Sequence, residues 1–268
     1  MPVHSELQAL AAAAVETMAV LNPRGTPPGG SLTVVGTGIR AITQLTVESL
    51  AAMATAEVLL HVIGEPIQED AVLAINPKSE TLTGYYVDGM DRWNTYEAMV
   101  QHILASVVGG ARTVAAFYGH PGVFTYPSHE SVRRVRAAGY PARMLPGVSA
   151  EDNLVADLGV DPGDGCQAFE ATDFLYRKNG IDRSCHLLLW QVGSIGNVTY
   201  ESSGYDMSLF PALVAKLLSI YPPSHLATIY EAAFHPSGRP RVVVVPLSHL
   251  DSTMTTIATT LHVPPVRA

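Results

Sequence analysis

The segment Tyr85–Tyr96, YYVDGMDRWNTY, contains residue types that can move a proton. Arg92 precedes Tyr96 by four residues, so both side chains share one helix face if the first turn includes Arg92. A neighbouring guanidinium stabilises a tyrosinate and lowers the pKa of the tyrosine. Tyr96 is therefore a candidate general base. A solvent-exposed arginine stacked on an aromatic cluster would have the same spacing, and this segment alone leaves both interpretations open.

Three short loops, each directly after a predicted strand, contain the residues of a candidate ligand site. They are Gly36–Gly38, Phe117–Phe124 (FYGHPGVF) and Pro146–Asp152 (PGVSAED). A strand that ends in two glycines around His-Pro turns sharply at the carboxyl end of a parallel sheet, where α/β folds bind ligands. We expect all three loops at one edge of one sheet. Taken singly, a tight turn, a surface histidine and ordinary helix capping explain them as well.

Other chemistries lack the expected pattern. The first loop fits the weak dinucleotide fingerprint G-x-G-x-x-A, but the next helix starts only near Thr46 and Glu57 begins the second strand, which argues against NAD(P). Ser149 is not in a G-x-S-x-G elbow, which argues against a hydrolase. The histidines and two cysteines lack metal-ligand spacing, so we expect no metal.

Strand and helix signals alternate in the first part of the chain. Predicted strands cover 32–35, 56–63, 113–118 and 142–145, and predicted helices cover 46–54, 94–108, 128–138 and 149–158. Such alternation predicts an α/β layer with a largely parallel sheet. After residue 162 strands outnumber helices, with strands at 186–191, 226–230, 241–246 and 256–263 and a helix at 210–220. We expect a second α/β domain with a mixed sheet.

These patterns divide the chain into three regions. Residues 1–30 are an alanine-rich helix at 5–21 and a Pro/Gly-rich linker, residues 31–162 are an N-terminal α/β domain, and residues 163–268 are a C-terminal α/β domain. The helix at 5–21 could help docking, pack within a dimer or be disordered.

Composition excludes several classes of protein. With 47% hydrophobic residues among 268, the chain can bury a core and is not intrinsically disordered. A net charge of −8 argues against nucleic acid as a partner. We find no secretory signal and no apolar run of membrane-spanning length, so we expect a cytoplasmic protein without a membrane partner.

The order VVGTG, YGHPGVF, PGVSAEDNLVADLG, LLLWQ, IYEAA and TTLHVPP resembles the tetrapyrrole methylase family of S-adenosylmethionine (SAM)-dependent methyltransferases. The resemblance runs from about Ser31 to Pro265. Within that family the motifs most resemble those of the borosin-type peptide backbone α-N-methyltransferases, through YGHPG, Arg92 with Tyr96, and SAEDxLxADLGxDP. Tetrapyrrole methylases usually have an acidic residue where His120 stands.

The resemblance implies a homodimer of two-domain α/β protomers that bind SAM in a cleft between the domains and release S-adenosylhomocysteine. The implied catalytic residues are Tyr86, Arg92, Tyr96 and Tyr118. The implied cofactor-binding residues are Tyr118, His120, Val123, Ser149, Ala150, Gln191, Ala232, Thr259 and Thr260.

The resemblance also implies the substrate, a ribosomally made precursor peptide whose backbone amides are N-methylated. In fused borosins that peptide is the enzyme's own C-terminus. Only Val266, Arg267 and Ala268 follow the final Val263-Pro264-Pro265 here, so we expect a precursor supplied in trans. Two alternatives remain: a tetrapyrrole or other small-molecule SAM methyltransferase of the same fold, and a catalytically silent SAM-binding protein.

Overall fold

A computed structural model describes residues 2–21, 29–178 and 180–266. Most of the predicted linker and the last two residues of the chain lie outside these ranges. The chain divides into two compact units. The first consists of the residues up to Ala150 together with Phe234–Ser237, and the second consists of Glu151–Ala233 and the residues from Gly238 onward.

The first unit is built around a five-stranded parallel sheet. In chain order its elements are α1 (Pro2–Leu21), β1 (Ser31–Gly36), α2 (Val47–Thr55), β2 (Val58–Val62), α3 (Pro66–Ile75), β3 (Glu80–Thr81), α4 (Arg92–Val108), β4 (Arg112–Phe117), α5 (Tyr126–Ala137) and β5 (Ala142–Met144). The strand order is β3-β2-β4-β1-β5. The predicted parallel sheet is confirmed. Its central strands β1 and β4 carry the first two candidate loops at their carboxyl ends.

Several elements of this unit differ from the prediction: β3 was not predicted, and α5 begins at Tyr126 rather than at residue 128. Helix α3 was not predicted, although Pro66 occupies its first turn, a position where proline has the required φ and needs no N–H partner. Helix α4 begins at Arg92 rather than Asn94. Its N-cap is Asp91, whose carboxylate accepts the N–H of Trp93 at 2.7 Å, so the predicted start of this helix was two residues too late.

Helix α1 belongs to the first unit. Leu7, Ala11 and Ala14 recur at helical spacing and are buried. Leu7 packs with Ala71 and Ala74 of α3, and Ala11 lies in a cluster with residues of α2 and β1. Helix α1 thus packs on the core of the first unit.

Replacing Leu7 with alanine is expected to lower the free energy of unfolding by about 2–3 kcal/mol, because it removes a buried side chain and leaves a cavity. Chemical denaturation measures the change. Leu10→Ala is the matched control, since Leu10 lies on the same helix and is 55% exposed; its effect is expected to stay within about 0.5 kcal/mol. Equal effects of the two substitutions would contradict the packing of α1.

The second unit contains a mixed five-stranded sheet in the order β6-β7-β10-β8-β9. Its elements are α6 (Ala150–Leu158), β6 (Cys166–Glu170), α7 (Ala171–Tyr176), β7 (His186–Trp190), α8 (Phe210–Ile220), β8 (Leu226–Glu231), β9 (Arg241–Pro246) and β10 (Thr260–Val263). β6 and β7 are parallel, and the other three pairs are antiparallel. The predicted mixed sheet is confirmed. β6 and α7 were not predicted, and β10 starts later than expected.

Along the chain the first unit ends at Ala150, the first residue of α6, whereas the sequence pattern predicted a boundary near residue 162. The hydroxyl of Tyr230 donates a hydrogen bond of 2.7 Å to Oδ2 of Asp157, which ties α6 to β8. Helix α6 therefore belongs with the second unit, apart from its first residue. Among the described residues no helix is both long and apolar enough to cross a membrane.

Candidate functional site

The three predicted loops of the first unit lie in direct contact at one edge of its sheet. Gly38 and Gly119 exchange backbone hydrogen bonds, with N···O distances of 3.2 and 3.0 Å. A Cβ at Gly147 would lie 3.0 Å from the carbonyl oxygen of Gly119 and 3.1 Å from Cα of Gly36. The third loop therefore packs against the other two, and the expected common edge is observed.

Two glycines make this contact possible. A Cβ at Gly36 would lie 2.2 Å from the carbonyl oxygen of Gly119, far inside van der Waals contact. That oxygen belongs to the backbone and cannot rotate away as a side chain could. Gly119 itself has φ +70°, in the left-handed region that side chains rarely adopt. The loops therefore require glycine because backbone approaches backbone.

His120 is fixed inside the second loop. Its Nδ1 accepts the N–H of Gly122 at 2.9 Å, and its carbonyl oxygen accepts the N–H of Val123 at 3.1 Å. In the neutral ring the proton therefore sits on Nε2, which can donate to a ligand. Phe124 follows with φ +52° and is half exposed; such strained non-glycine residues cluster at functional sites.

Gln68 of the unpredicted helix α3 supports the first loop. Its buried Nε2 donates to the carbonyl oxygens of Gly38 (3.0 Å) and Ile39 (3.1 Å). Helix α2, the next helix along the chain, starts only at Val47 with Thr46 as its cap, so it does not follow the loop directly as the dinucleotide fingerprint requires. The argument against NAD(P) thus gains structural support.

Ser149 and Ala150 lie where the third loop becomes a helix. Ser149 is buried, and α6 begins at Ala150. The backbone N–H groups of a helix's first turn lack partners within the helix, so this position can bind an acceptor group.

The remaining predicted cofactor residues meet at one edge of the second unit's sheet. Gln191 follows β7, Ala232 follows β8, and Thr259 and Thr260 stand at the start of β10. β10 pairs with both neighbours, Leu261 opposite Leu189 and Thr260 opposite Tyr230. The two strand ends and the strand start are therefore adjacent.

Backbone and side-chain contacts hold this second edge in place. Gln191 has φ +57°, a strained value for a non-glycine residue. The hydroxyl of Thr259 donates to Oε1 of Glu231 at 2.6 Å and accepts the N–H of Thr256 at 2.8 Å. Arg241 donates to the same carboxylate oxygen at 2.8 Å. The edge is thus a polar cluster fixed by a central carboxylate.

Helix α4 begins at Arg92, so its first turn includes this residue, as the pairing of Arg92 with Tyr96 requires. The two residues therefore lie one turn apart on the same face of the helix. Both side chains are half-buried. The ring of Tyr86 meets the ring of Tyr96 edge to face, with centroids 6.5 Å apart. The structure therefore groups three of the four predicted catalytic residues.

Tyr118, the fourth, is suited to donate a hydrogen bond rather than to accept a proton. Burial, and then the charge of Glu65, raise the pKa of Tyr118 far above its ordinary value. Its hydroxyl stays protonated at neutral pH. Its ring lies 6.0 Å from that of Phe234.

Residues 31–250 match the family model described as Tetrapyrrole (Corrin/Porphyrin) Methylases. The chain belongs to the tetrapyrrole methylase family. The resemblance drawn from the sequence motifs is thereby confirmed at the level of the family.

Several proteins are similar to this chain. The methyltransferase/ribosomally synthesized cyclic peptide dendrothelin A precursor of Dendrothele bispora is 43% identical over 212 residues, covering 79% of this chain and 51% of that protein. The omphalotin A precursor of Omphalotus olearius, with the same type of name, is 42% identical with the same two coverages. The type I borosin cyclic peptide precursor of Serendipita vermifera is 35% identical over 247 residues, covering 89% and 60%. The chain spans about half the length of the first two.

Solved structures share the fold. The uroporphyrin-III-C-methyltransferase of Thermus thermophilus superposes with a TM-score of 0.63 at 20% identity, over 88% of this chain and 92% of that one. The methyltransferase CobJ gives 0.62 at 20% identity, over 88% and 94%. The predicted two-domain α/β fold of this family is confirmed.

The described residues contain no group of three or more His, Cys, Asp or Glu side chains placed to hold a metal ion. His186 and His262 hydrogen-bond to each other across 2.8 Å.

Metal independence stays a prediction: methyl transfer is expected to continue at an unchanged rate in EDTA. Activity lost in EDTA and restored by zinc would contradict it.

Proposed function

We propose that this chain transfers a methyl group from SAM to backbone amide nitrogens of a ribosomally made precursor peptide. Family membership supports the proposal, as does the similarity to proteins named as methyltransferases and ribosomally synthesized cyclic peptide precursors. The observation that carries it is the position of Arg92 and Tyr96 on one face of α4, with the ring of Tyr86 against Tyr96. The N–H of a peptide amide is a very weak acid, so its deprotonation needs a base and a cation that stabilises the resulting negative charge.

In each unit, taken by itself, the predicted cofactor residues offer groups of the kind that SAM would need: apolar surface for its ring system, and polar partners for its hydroxyls and its amino-acid end. In the first unit Tyr118 and Val123 offer apolar surface, and Nε2 of His120 offers a donor. Ser149 and the backbone of Ala150 would bind an acceptor group at the start of α6. In the second unit the exposed amide of Gln191, the backbone of Ala232, and Thr259 and Thr260 supply polar groups.

A peptide amide resists methylation because its nitrogen lone pair is delocalised into the carbonyl. The protein must therefore remove the N–H proton and stabilise the charge that develops on the carbonyl oxygen. When bound, SAM supplies the electrophilic methyl group. In-line placement of the amide nitrogen supplies much of the remaining rate enhancement.

The three tyrosines and Arg92 have different roles in this proposal. Tyr96 accepts the amide proton, and Arg92 stabilises the tyrosinate or the developing oxyanion. Tyr86 restricts the ring of Tyr96 by packing against it. Tyr118, kept protonated by burial, donates a hydrogen bond that positions the substrate backbone.

The source of the peptide is tested by intact mass. The chain is co-expressed with a precursor encoded next to its gene, and the masses of both polypeptides are measured. Methyl increments on the separate precursor support our expectation of a substrate in trans. Increments on a longer form of this chain support a fused substrate, the arrangement named for the relatives. Absence of increments on any peptide would contradict the proposed function.

A homodimer, implied by the family resemblance, is part of the proposal. Light scattering of the full chain is expected to give twice the mass of one protomer, and a monomer that remains fully active would contradict it.

A further inference from the structure

Trp93 is unusually exposed for its type. The chain has two tryptophans, and Trp190 is 4% exposed whereas Trp93 is 55% exposed. Tryptophan is highly buried on average, and exposed aromatic side chains with polar surroundings are typical of binding surfaces. Trp93 lies in the first turn of α4, between Arg92 and Tyr96.

The ring of Trp93 continues the row of aromatic rings that includes Tyr96. It packs on Tyr126 with centroids 4.6 Å apart, and Tyr126 in turn lies 6.3 Å from Tyr96. We call Trp93 and Tyr126 the aromatic platform. Ring contacts therefore connect the exposed Trp93 through Tyr126 to Tyr96, the proposed base.

Polar contacts between α4 and α5 hold the platform rigid. The hydroxyl of Tyr126 donates to Oε1 of Glu97 at 3.0 Å. Arg134 donates two hydrogen bonds to the same carboxylate, at 2.9 and 2.8 Å, and a third to Glu130 at 2.6 Å. The charge of Glu97 is thus balanced, so the platform presents apolar ring faces rather than a net charge. Fixed rings bind a partner at a lower entropic cost than mobile ones.

We propose that the aromatic platform, Trp93 with Tyr126, binds an apolar side chain of the peptide substrate within a few residues of the amide that faces Tyr96. This inference rests on the proposed function and adds a side-chain preference to it. A peptide extends about 3.3–3.6 Å per residue. A side chain within two or three residues of the reacting amide can therefore reach the platform, whose nearer ring lies 6.3 Å from that of Tyr96. The occupant is the substrate peptide because the platform adjoins the proposed base.

Tryptophan fluorescence tests the platform without catalysis. The full chain, saturated with S-adenosylhomocysteine, is titrated with synthetic alanine–glycine peptides that carry leucine or aspartate at one central position. The leucine peptide is expected to shift the emission to shorter wavelength and to protect it from acrylamide, because Trp93 becomes covered. Calorimetric titration, which does not need the Trp93 fluorophore, is expected to show that Trp93→Ala weakens binding of the leucine peptide about five- to thirtyfold, with little change for the aspartate peptide.

Val108→Ala is the matched control, since Val108 is 51% exposed at the other end of α4. It is expected to bind both peptides as the parent chain does. An emission shift that depends on protein concentration and not on peptide would overturn the proposal, because a second copy of the chain would then cover the platform. Equal binding of the two peptides would overturn it as well.

The two proposals fail separately. If peptides are methylated but Trp93→Ala changes neither binding nor side-chain preference, the platform is wrong and the methyl transfer stands. If the leucine peptide covers Trp93 but no peptide is ever methylated, the proposed function is wrong although the surface binds peptides.

Discussion

Replacing Tyr96 with phenylalanine is expected to lower the rate of peptide methylation about 10²–10⁴-fold, because the substitution removes the proposed base and keeps the ring. Arg92→Ala is expected to lower it by a similar factor, since the developing oxyanion loses its cation. Affinity for S-adenosylhomocysteine is expected to change by no more than a few-fold, because neither residue lies in the three loops. Single-turnover kinetics and calorimetric titration measure the two quantities.

Tyr85→Phe is the control for this experiment. Tyr85 directly precedes Tyr86, but its hydroxyl hydrogen-bonds to Nδ1 of His102 at 2.9 Å rather than lying in the row of rings with Tyr96. Its methylation rate is expected to stay within a few-fold of the parent chain. Near-normal turnover of Tyr96→Phe would show that another group accepts the proton.

Replacing Gly36 with alanine is expected to weaken cofactor binding at least tenfold. The new Cβ would lie 2.2 Å from the carbonyl oxygen of Gly119, so one loop must move away from the other. Forcing an extra methyl group into a packed contact also costs about 1–3 kcal/mol of stability. Titration with S-adenosylhomocysteine and denaturant unfolding measure both effects.

Gly64→Ala is the matched control, because Gly64 follows β2 at the same edge and a Cβ there meets nothing within 4 Å. Its cofactor affinity and stability are expected to be unchanged. If Gly36→Ala bound the cofactor as tightly as Gly64→Ala, the contact between the loops would not shape the cofactor site.

The sequence predicted the parts of the site that depend on local pattern. The pairing of Arg92 with Tyr96 follows from helical spacing, and the meeting of three loops follows from their positions after parallel strands. The start of α4 was misplaced because Asp91 and Asn94 are both good caps, and only the bond from Trp93 to Asp91 decides between them.

Contacts between residues distant in the chain were not predictable in this way. Gln68 supports the loop at Gly38, and Arg134 holds Glu97 from another helix. No local sequence pattern predicts these contacts, because they form only when a helix packs against the sheet or against another helix. The aromatic platform belongs to the same class, since Tyr126 reaches Trp93 only through the packing of α5 on α4.

Tandem mass spectrometry of the methylated product tests the central claim most directly. A precursor peptide is incubated with the full chain and SAM, with Tyr96→Phe in parallel, and fragment ions locate each added methyl group. The account predicts methyl groups on backbone amide nitrogens with the parent chain and almost none with Tyr96→Phe. Methyl groups on side chains, or an unmodified peptide beside a methylated tetrapyrrole macrocycle, would contradict it.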